Sequence, residues 1–288
     1  MSPIPLPAAA SIDRLLALVP PPSDPVAADA DWAAAEAALG LVLPADLKEV
    51  WRRYGAGMFC GEVGLCSPEQ LVESNRRLLG DWATMREDYP EEYPLPFHPE
   101  PGGLLVWALD SVGGALCWLT EGDPAGWPVV RWQQRDGDFA RCEGGAADRL
   151  VAEVERLVAR SAEGGVPYDA PWFSPRRELV HVELLLTPSP MPYPERLRLL
   201  RERLAPTVGR GGWADPDGGV RQDHFLADEL GWRLTYEMAY GHRLRVNYPP
   251  ADEERARETV LAAVAALGCR VISAHGAAAG WGPAPAED

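Results

Sequence analysis

Seven consecutive residues, Glu87-Asp88-Tyr89-Pro90-Glu91-Glu92-Tyr93, bring four carboxylates and two phenols together. Their types suit docking better than bond-breaking. Carboxylates speed encounter with a lysine- or arginine-rich surface, and tyrosines supply contact area once the partner arrives. A charge run of this kind is also what a plain solvated loop looks like. The other chemistry-bearing residues are dispersed. Five histidines (His98, His181, His224, His242, His275) include no pair at i, i+4, and the five cysteines include no Cys-x-x-Cys, so neither zinc spacing is present. Only convergence of His224, His242 and His275 in three dimensions would make a metal site. Gly55-x-Gly57-x-x-Cys60-Gly61 half matches a dinucleotide loop but follows a helical pattern, which makes it a helix stop and turn. Asp215-Pro216-Asp217-Gly218-Gly219 opens like a calcium loop, lacks the closing Glu, and reads as a turn. There is no Gly-x-Ser-x-Gly elbow and no Walker loop. No catalytic residue, metal or cofactor is assigned, and the candidate partner-binding residues are Glu87, Asp88, Tyr89, Glu91, Glu92 and Tyr93.

Composition narrows the partner. The chain has 288 residues and a net charge of −16, enough length for one large domain or two ordinary ones. Residues 1–165 hold 26 acids against 13 bases, whereas residues 166–288 hold 17 against 14. A surface this acidic repels nucleic acid and anionic membranes, and it also confers solubility without any partner. Lys48 is the only lysine. The apolar N-terminus is interrupted by prolines and by Asp13-Arg14, which fits neither a signal peptide nor a membrane span. An odd number of unpaired-looking cysteines fits free thiols in a reducing cytosol.

The elements that must carry these residues fall into two halves. Ser11 to Val19 predicts a first helix, with Ile12, Leu15, Leu16 and Val19 on one face. Asp31 to Phe59 predicts a helical hairpin. Gly40 closes an Ala-rich helix, Pro44 starts a second, and Leu47, Val50, Trp51 and Tyr54 follow i, i+3, i+4, i+7 spacing as its buried face. Trp32, Leu39 and Leu43 are also expected in the core. Ser67-Pro68-Glu69-Gln70 is a capping-box start for a helix running to about Trp82 or Met85. Short strands follow at Leu104–Asp110, Ala115–Thr120, Val129–Gln133 and Phe139–Cys142, with Asp136-Gly137-Asp138 as a turn; a helix at Ala146–Ala159 closes the half. Helices, then an antiparallel meander, then a helix make this half α+β.

The order Trp32, Glu36, Leu39-Gly40, Leu43-Pro44, a short aromatic helix and Tyr54-Gly55-Ala56-Gly57-Met58-Phe59 resembles the opening of the SUKH superfamily, the fold of fungal cell-wall-assembly regulators and many bacterial immunity proteins. Pro96-Phe97, Gly102-Gly103, Trp107-Ala108-Leu109-Asp110 and Val129-Val130-Arg131 occupy later positions of the same pattern, so the similarity spans roughly residues 11–160. It implies N-terminal helices packed on an antiparallel sheet and a non-catalytic, protein-binding role.

After a Gly/Pro-rich linker at 166–177, the second half is expected to read strand (Val180–Leu186), helix (Pro194–Leu204), a long loop, strands (Trp232–Ala239 and Arg243–Tyr248), helix (Asp252–Leu267) and strand (Arg270–Ala274). That βαββαβ order is the ferredoxin-like split pattern, here a smaller domain over 178–275, followed by a disordered tail from Gly276. Three functions follow for the whole chain. One is a cytosolic immunity protein that inhibits a cognate toxin, basic and of nuclease type, through its acidic surface. Another is an interaction module in regulation without a toxin partner. The third is an enzyme with a site at the domain seam, for which no acid–base or nucleophile constellation is readable.

Overall fold

The computed structural model describes residues 8–133, 138–164, 166–217, 220–276 and 280–282. Residues 136 and 137 of one expected turn, and 218 and 219 of another, lie outside them. The chain divides into two compact units, Met1–Leu157 with Pro171–Arg176, and Val158–Ala170 with Arg177–Asp288.

The first unit opens with three helices, α1 (Ala8–Leu18), α2 (Trp32–Leu39) and α3 (Ala45–Tyr54). The Asp31 carboxylate accepts the Ala34 N–H to cap α2, and Gly40, at φ 70°, closes it in the left-handed region. Gly55 ends α3 because nothing larger fits: a Cβ there would lie 2.2 Å from the Val26 carbonyl oxygen. The Tyr54 hydroxyl donates to the Val19 carbonyl at 2.6 Å and so ties α3 to the end of α1. Leu43, Leu47, Val50, Trp51 and Tyr54 are buried as expected. Trp32 and Leu39 are only partly covered, with Trp32 packed edge-on against Trp51.

Two strands of three residues each, β1 (Gly57–Phe59) and β2 (Val63–Leu65), were not expected, being too short to show a period of two. The long helix α4 (Pro68–Asp88) begins with the expected capping box between Ser67 and Gln70. It runs beyond the expected stop, because the first breaker is Pro90, which bars Tyr89 from the helical region and leaves Glu87 and Asp88 in the last turn. Then come β3 (Leu104–Asp110), β4 (Gly114–Leu119), β5 (Val129–Gln133), β6 (Asp138–Cys142) and α5 (Ala146–Glu163). A last strand, β7 (Phe173–Pro175), lies inside the expected linker and pairs with β1. The sheet is antiparallel throughout, in the order β6-β5-β4-β3-β2-β1-β7.

Successive strand residues face opposite ways, and β5 shows what covers each face. Trp132 meets Trp82 of α4 edge-on, with ring centroids 3.8 Å apart. Its neighbour Arg131 points the other way to Glu153 of α5 at 3.6 Å. Glu153 is 2% exposed and is also bonded by Arg149 and Arg156. Burial alone would raise its carboxyl; the arginines outweigh that and hold it below the ordinary range. The α4 side is locked by Asn75. Strand β3 carries an irregularity between Val106 and Ala108, and the Asn75 amide fills it, donating to the Val106 carbonyl at 3.0 Å and accepting the Val106 N–H at 2.9 Å.

The second unit holds β8 (Val180–Leu186), α6 (Tyr193–Arg203), β9 (Thr207–Ala214), β10 (Arg221–Ala227), β11 (Trp232–Glu237), β12 (Arg243–Tyr248), α7 (Glu253–Ala266) and β13 (Val271–Gly276). Its antiparallel sheet runs β13-β8-β12-β11-β10-β9. One face, with Val182, Leu184, Tyr236, Leu244 and Val246, packs with Leu200 of α6 and Val260 and Val264 of α7 in one core. The opposite face carries charge, as where Glu183 bridges Arg243 and Arg245. The expected long loop is therefore the β9–β10 hairpin. Its glycines hid the alternation: a Cβ on Gly212 would fall 2.0 Å from the Gln222 carbonyl oxygen, and Gly211 sits at φ 84°. Residues of the expected linker also bond within this unit, Tyr168 bridging to Arg210. The tail expectation is corrected in part. Trp281 is 1% exposed and stacks on Tyr248 at 5.7 Å, while 277–279 and 283–288 lie outside the described residues.

Asn75→Ala removes an amide that satisfies two buried backbone groups at once. The expected cost is about 2–4 kcal/mol, from stranding both groups without water. A urea midpoint shift at unchanged slope measures it, and a cost below roughly 0.5 kcal/mol would show that the strand irregularity is satisfied without Asn75.

Candidate functional site

The acidic run straddles the end of a helix. Glu87 and Asp88 occupy the last turn of α4; Tyr89 follows as its cap, with its N–H on the Met85 carbonyl at 2.7 Å. The chain then turns tightly, the N–H groups of Glu92 and Tyr93 both returning to the Tyr89 carbonyl at 3.1 Å. This fold-back keeps Glu87, Asp88, Tyr89, Glu91 and Glu92 exposed, and leaves Tyr93 partly covered. Tyr89 is 53% exposed and Met85, one turn earlier, 44%. The structure thus brings the four carboxylates and Tyr89 to one exposed place, and sets Tyr93 back from it.

Local electrostatics disfavour the placement slightly. A helix ends in unsatisfied carbonyls that carry partial negative charge, so carboxylates there are repelled. Arg86 is the one basic residue in the last turn of α4, and it pairs with Glu100 at 3.0 Å. Among the described residues, Glu87, Asp88, Glu91 and Glu92 make no hydrogen bond or ion pair with any side chain. Some other acids of the same unit are matched, as where Glu49 takes Arg52 and Arg53, and the Arg52 hydrogen bond leads in drawing its carboxyl down to about 2.

A groove carried no sequence signal. About 500 Å³ in volume, it is lined by Asp31, Ala34 and Ala35 from the start of α2 and by Glu69, Val72, Glu73 and Arg76 of α4, with Arg76 paired to Glu73. Its residues come from segments more than 30 positions apart, so spacing along the chain could not show it.

The histidines do not converge. His224 bonds the Thr235 hydroxyl on the charged face of the second unit's sheet, and His275 lies beside Ser273 on β13. His242 is buried at the opposite surface of that sheet, where its Nδ1 faces the Thr187 carbonyl at 2.8 Å. That contact places the proton on Nδ1 and leaves Nε2 to accept the Tyr236 hydroxyl at 2.7 Å. Among the described residues no group of three or more His, Cys, Asp or Glu is placed to hold a metal ion, and no helix is long and apolar enough to cross a membrane.

Residues 29–147 match the family model SUKH_6, described as SMI1-KNR4 cell-wall. The matched region includes the helical hairpin, α4 and the whole acidic turn. No family model matches the C-terminal part, and no curated protein matches the chain.

Two outcomes follow from these electrostatics. Glu87→Lys and Asp88→Lys replace repelled charges with favoured ones, and together they are expected to raise thermal stability slightly; a fall in melting temperature would show that the carboxylates have unrecognised native partners. The second concerns pH. Burial pushes the His242 imidazole below its ordinary 6.5, with the Thr187 carbonyl opposing and Arg196 reinforcing, and burial does the same to His224. A histidine depressed in the folded state leaves stability intact above about pH 6.5, then loses it as the unfolded chain takes the proton first. Unfolding free energy should therefore hold steady above about pH 7 and decline toward pH 5. His242→Gln should flatten that decline, and an unaltered slope would remove His242 from the account.

Proposed function

We propose that the chain is a non-catalytic protein-binding protein, a cytosolic immunity protein that inhibits a cognate toxin, basic and of nuclease type, by docking its acidic surface. The observation that carries this reading is the exposed, unpaired set of four carboxylates around Tyr89, held where the helix end disfavours them. Natural sequences keep such locally unfavourable charge where function requires it. The SUKH region supports a binding role, since that superfamily includes immunity proteins and cell-wall regulators. An enzyme that holds nucleic acid presents lysine and arginine, so a partner carrying an acidic patch gains association rate from long-range attraction.

The docking residues in this reading are Glu87, Asp88, Tyr89, Glu91, Glu92 and Tyr93. Tyr89 supplies the central contact and the carboxylates surround it, an arrangement in which aromatic area gives affinity and charge gives rate and register. Tyr93, being partly covered, acts by supporting the turn. We read the second unit as a ferredoxin-like domain. The neighbours β13-β8-β12-β11, with α6 and α7, have the order a split βαββαβ unit requires, and the β9–β10 hairpin extends one edge.

The test uses the intact protein and a toxin domain, which this reading expects to be encoded beside its gene. Reversing Glu87, Asp88, Glu91 and Glu92 to Lys should slow association at low salt by about tenfold or more, with the difference shrinking as salt rises. If both affinity and association rate survive the reversals, the acidic turn is not the docking site. Capture of a client unrelated to any toxin, dependent on the second unit, would favour the regulatory interaction module instead.

A further inference from the structure

Helix α7 changes character halfway along. Residues 253–259 are rich in charge, whereas residues 260–267, Val-Leu-Ala-Ala-Val-Ala-Ala-Leu, include no polar side chain. The core uses only part of that stretch. Val260, Ala263, Val264 and Leu267 are buried, but Ala262 and Ala265 are exposed and Leu261 is half-covered. A helix on a protein surface turns a polar face to water, and one that is apolar all round is covered by something.

The neighbouring strand extends the patch. A groove of about 540 Å³ lies beside α7, lined by its Leu261, Val264 and Ala265 and by Arg270, Val271 and Ile272. Ile272 is 51% exposed. β13 is the outermost strand on this side of the sheet, and it carries no proline and no lysine, arginine or carboxylate, the residues that keep an edge from association. The opposite edge is closed. There Tyr168 bridges to Arg210 of β9, and the Asp169 N–H bonds the Gly209 carbonyl at 3.2 Å.

Charge specifies what fits. Residues 254, 258, 261, 262 and 265 follow the spacing of one helix face, so Glu254 and Glu258 share a stripe with Leu261, Ala262 and Ala265. Arg270 stands past the other end of the helix. Glu254, Glu258 and Arg270 are exposed, and among the described residues their side chains make no hydrogen bond or ion pair. The surface therefore reads acid, apolar, base. An occupant must read base, apolar, acid along the same line, and this surface turned end to end does so. A two-fold axis performs that reversal.

We propose that the chain forms a symmetric dimer through α7 and the groove beside it. The two α7 helices run antiparallel with Ala262, midway between positions 254 and 270, near the axis. Glu254 and Glu258 of each copy then face the partner's Arg270, and the alanines allow helix axes to approach to about 8–10 Å. The proposal is independent of the toxin-docking reading, which concerns the acidic turn of the other unit.

Sedimentation equilibrium of the full chain tests this at about 0.15 M salt, where the repulsion between two acidic copies is screened beyond roughly 8 Å. The 31.4 kDa chain should dimerise reversibly, with a Kd of about 1–100 μM for so small a patch. The double variant Glu254→Arg, Glu258→Arg and the single variant Arg270→Glu should each self-associate about tenfold more weakly or worse, because symmetry brings like charges together twice. Mixed in equal amounts, the two variants should form a heterodimer within about threefold of the wild-type affinity, since every contact is again opposite in sign. Ala262→Glu, which sets two carboxylates at the axis, should abolish the dimer at an exposed position that the monomer fold does not use. A wild-type chain still monomeric at about 500 μM, variants that associate as the wild type does, or a mixture that stays monomeric would each overturn the proposal. So would a dimer that appears only after residues 283–288 are deleted, which would give the groove to the chain's own tail.

Discussion

The position of the candidate docking surface depends on one amide. Asn75 joins α4 to the middle of the sheet by satisfying the Val106 backbone at an irregularity where the ladder cannot. That contact sets both the rotation and the longitudinal register of the helix. Seven residues later Trp82 makes the last deep anchor, against Trp132 and Phe97. Thirteen residues separate Asn75 from Asp88, roughly 20 Å at the rise of an α-helix. The last turn thus projects from a fixed base, with Met85, Glu87 and Asp88 exposed. A rigid helix presents charge at a defined point, which a mobile loop would not do.

The two units leave charge unpaired in opposite senses, and solvent decides what each case means. Carboxylates on an exposed helix end cost little, because water screens them; by themselves they state only which sign of partner is attracted. A buried guanidinium has no such cover. Arg196 cannot be solvated as the carboxylates are, and its neighbours His242 and Met238 carry no charge. The first unit's acidity therefore acts as a long-range field, while the charge on Arg196 is felt mainly by the groups packed around it.

Sequence reasoning read some of this and missed the rest for identifiable reasons. The helical hairpin was readable because each of its residues has one physical job: a cap at Asp31, a left-handed stop at Gly40, and a buried stripe from Leu47 to Tyr54. The capping box at Ser67 was equally plain, but the end of α4 was misplaced, since Pro90 rather than the fading of apolar spacing terminates it. The β9–β10 hairpin escaped because Gly209, Gly211 and Gly212 interrupt the alternation that marks a strand, and because the backbone of Gln222 approaches Gly212 too closely for any side chain. Trp281 escaped because a buried aromatic was surrounded by tail-like composition. The acidic run was visible as composition, whereas the cluster around Arg196 was not visible at all. Arg196, Tyr193, Asp223, Tyr236 and His242 lie on α6, β10, β11 and the turn before β12, and only folding brings them together.

The residues that mark the region matching the SUKH model serve the fold. Leu43, Leu47, Val50, Trp51 and Tyr54 are at most 1% exposed, so a partner cannot touch them, and Gly40 and Gly55 serve the backbone. A motif built from buried residues fixes a fold and leaves the surface free to vary. Whatever discriminates one partner from another must then lie where the fold imposes least, on exposed helix ends and turns. The stretch from Met85 to Glu92 meets that condition: it follows the last anchored turn of α4 and precedes the next buried aromatic, Phe97. Substitutions there can change partner preference while the hairpin, the Asn75 lock and the tryptophan layer keep the scaffold constant. Stability rests on the buried residues of this unit, and its exposed helix ends and turns are where substitution costs the fold least.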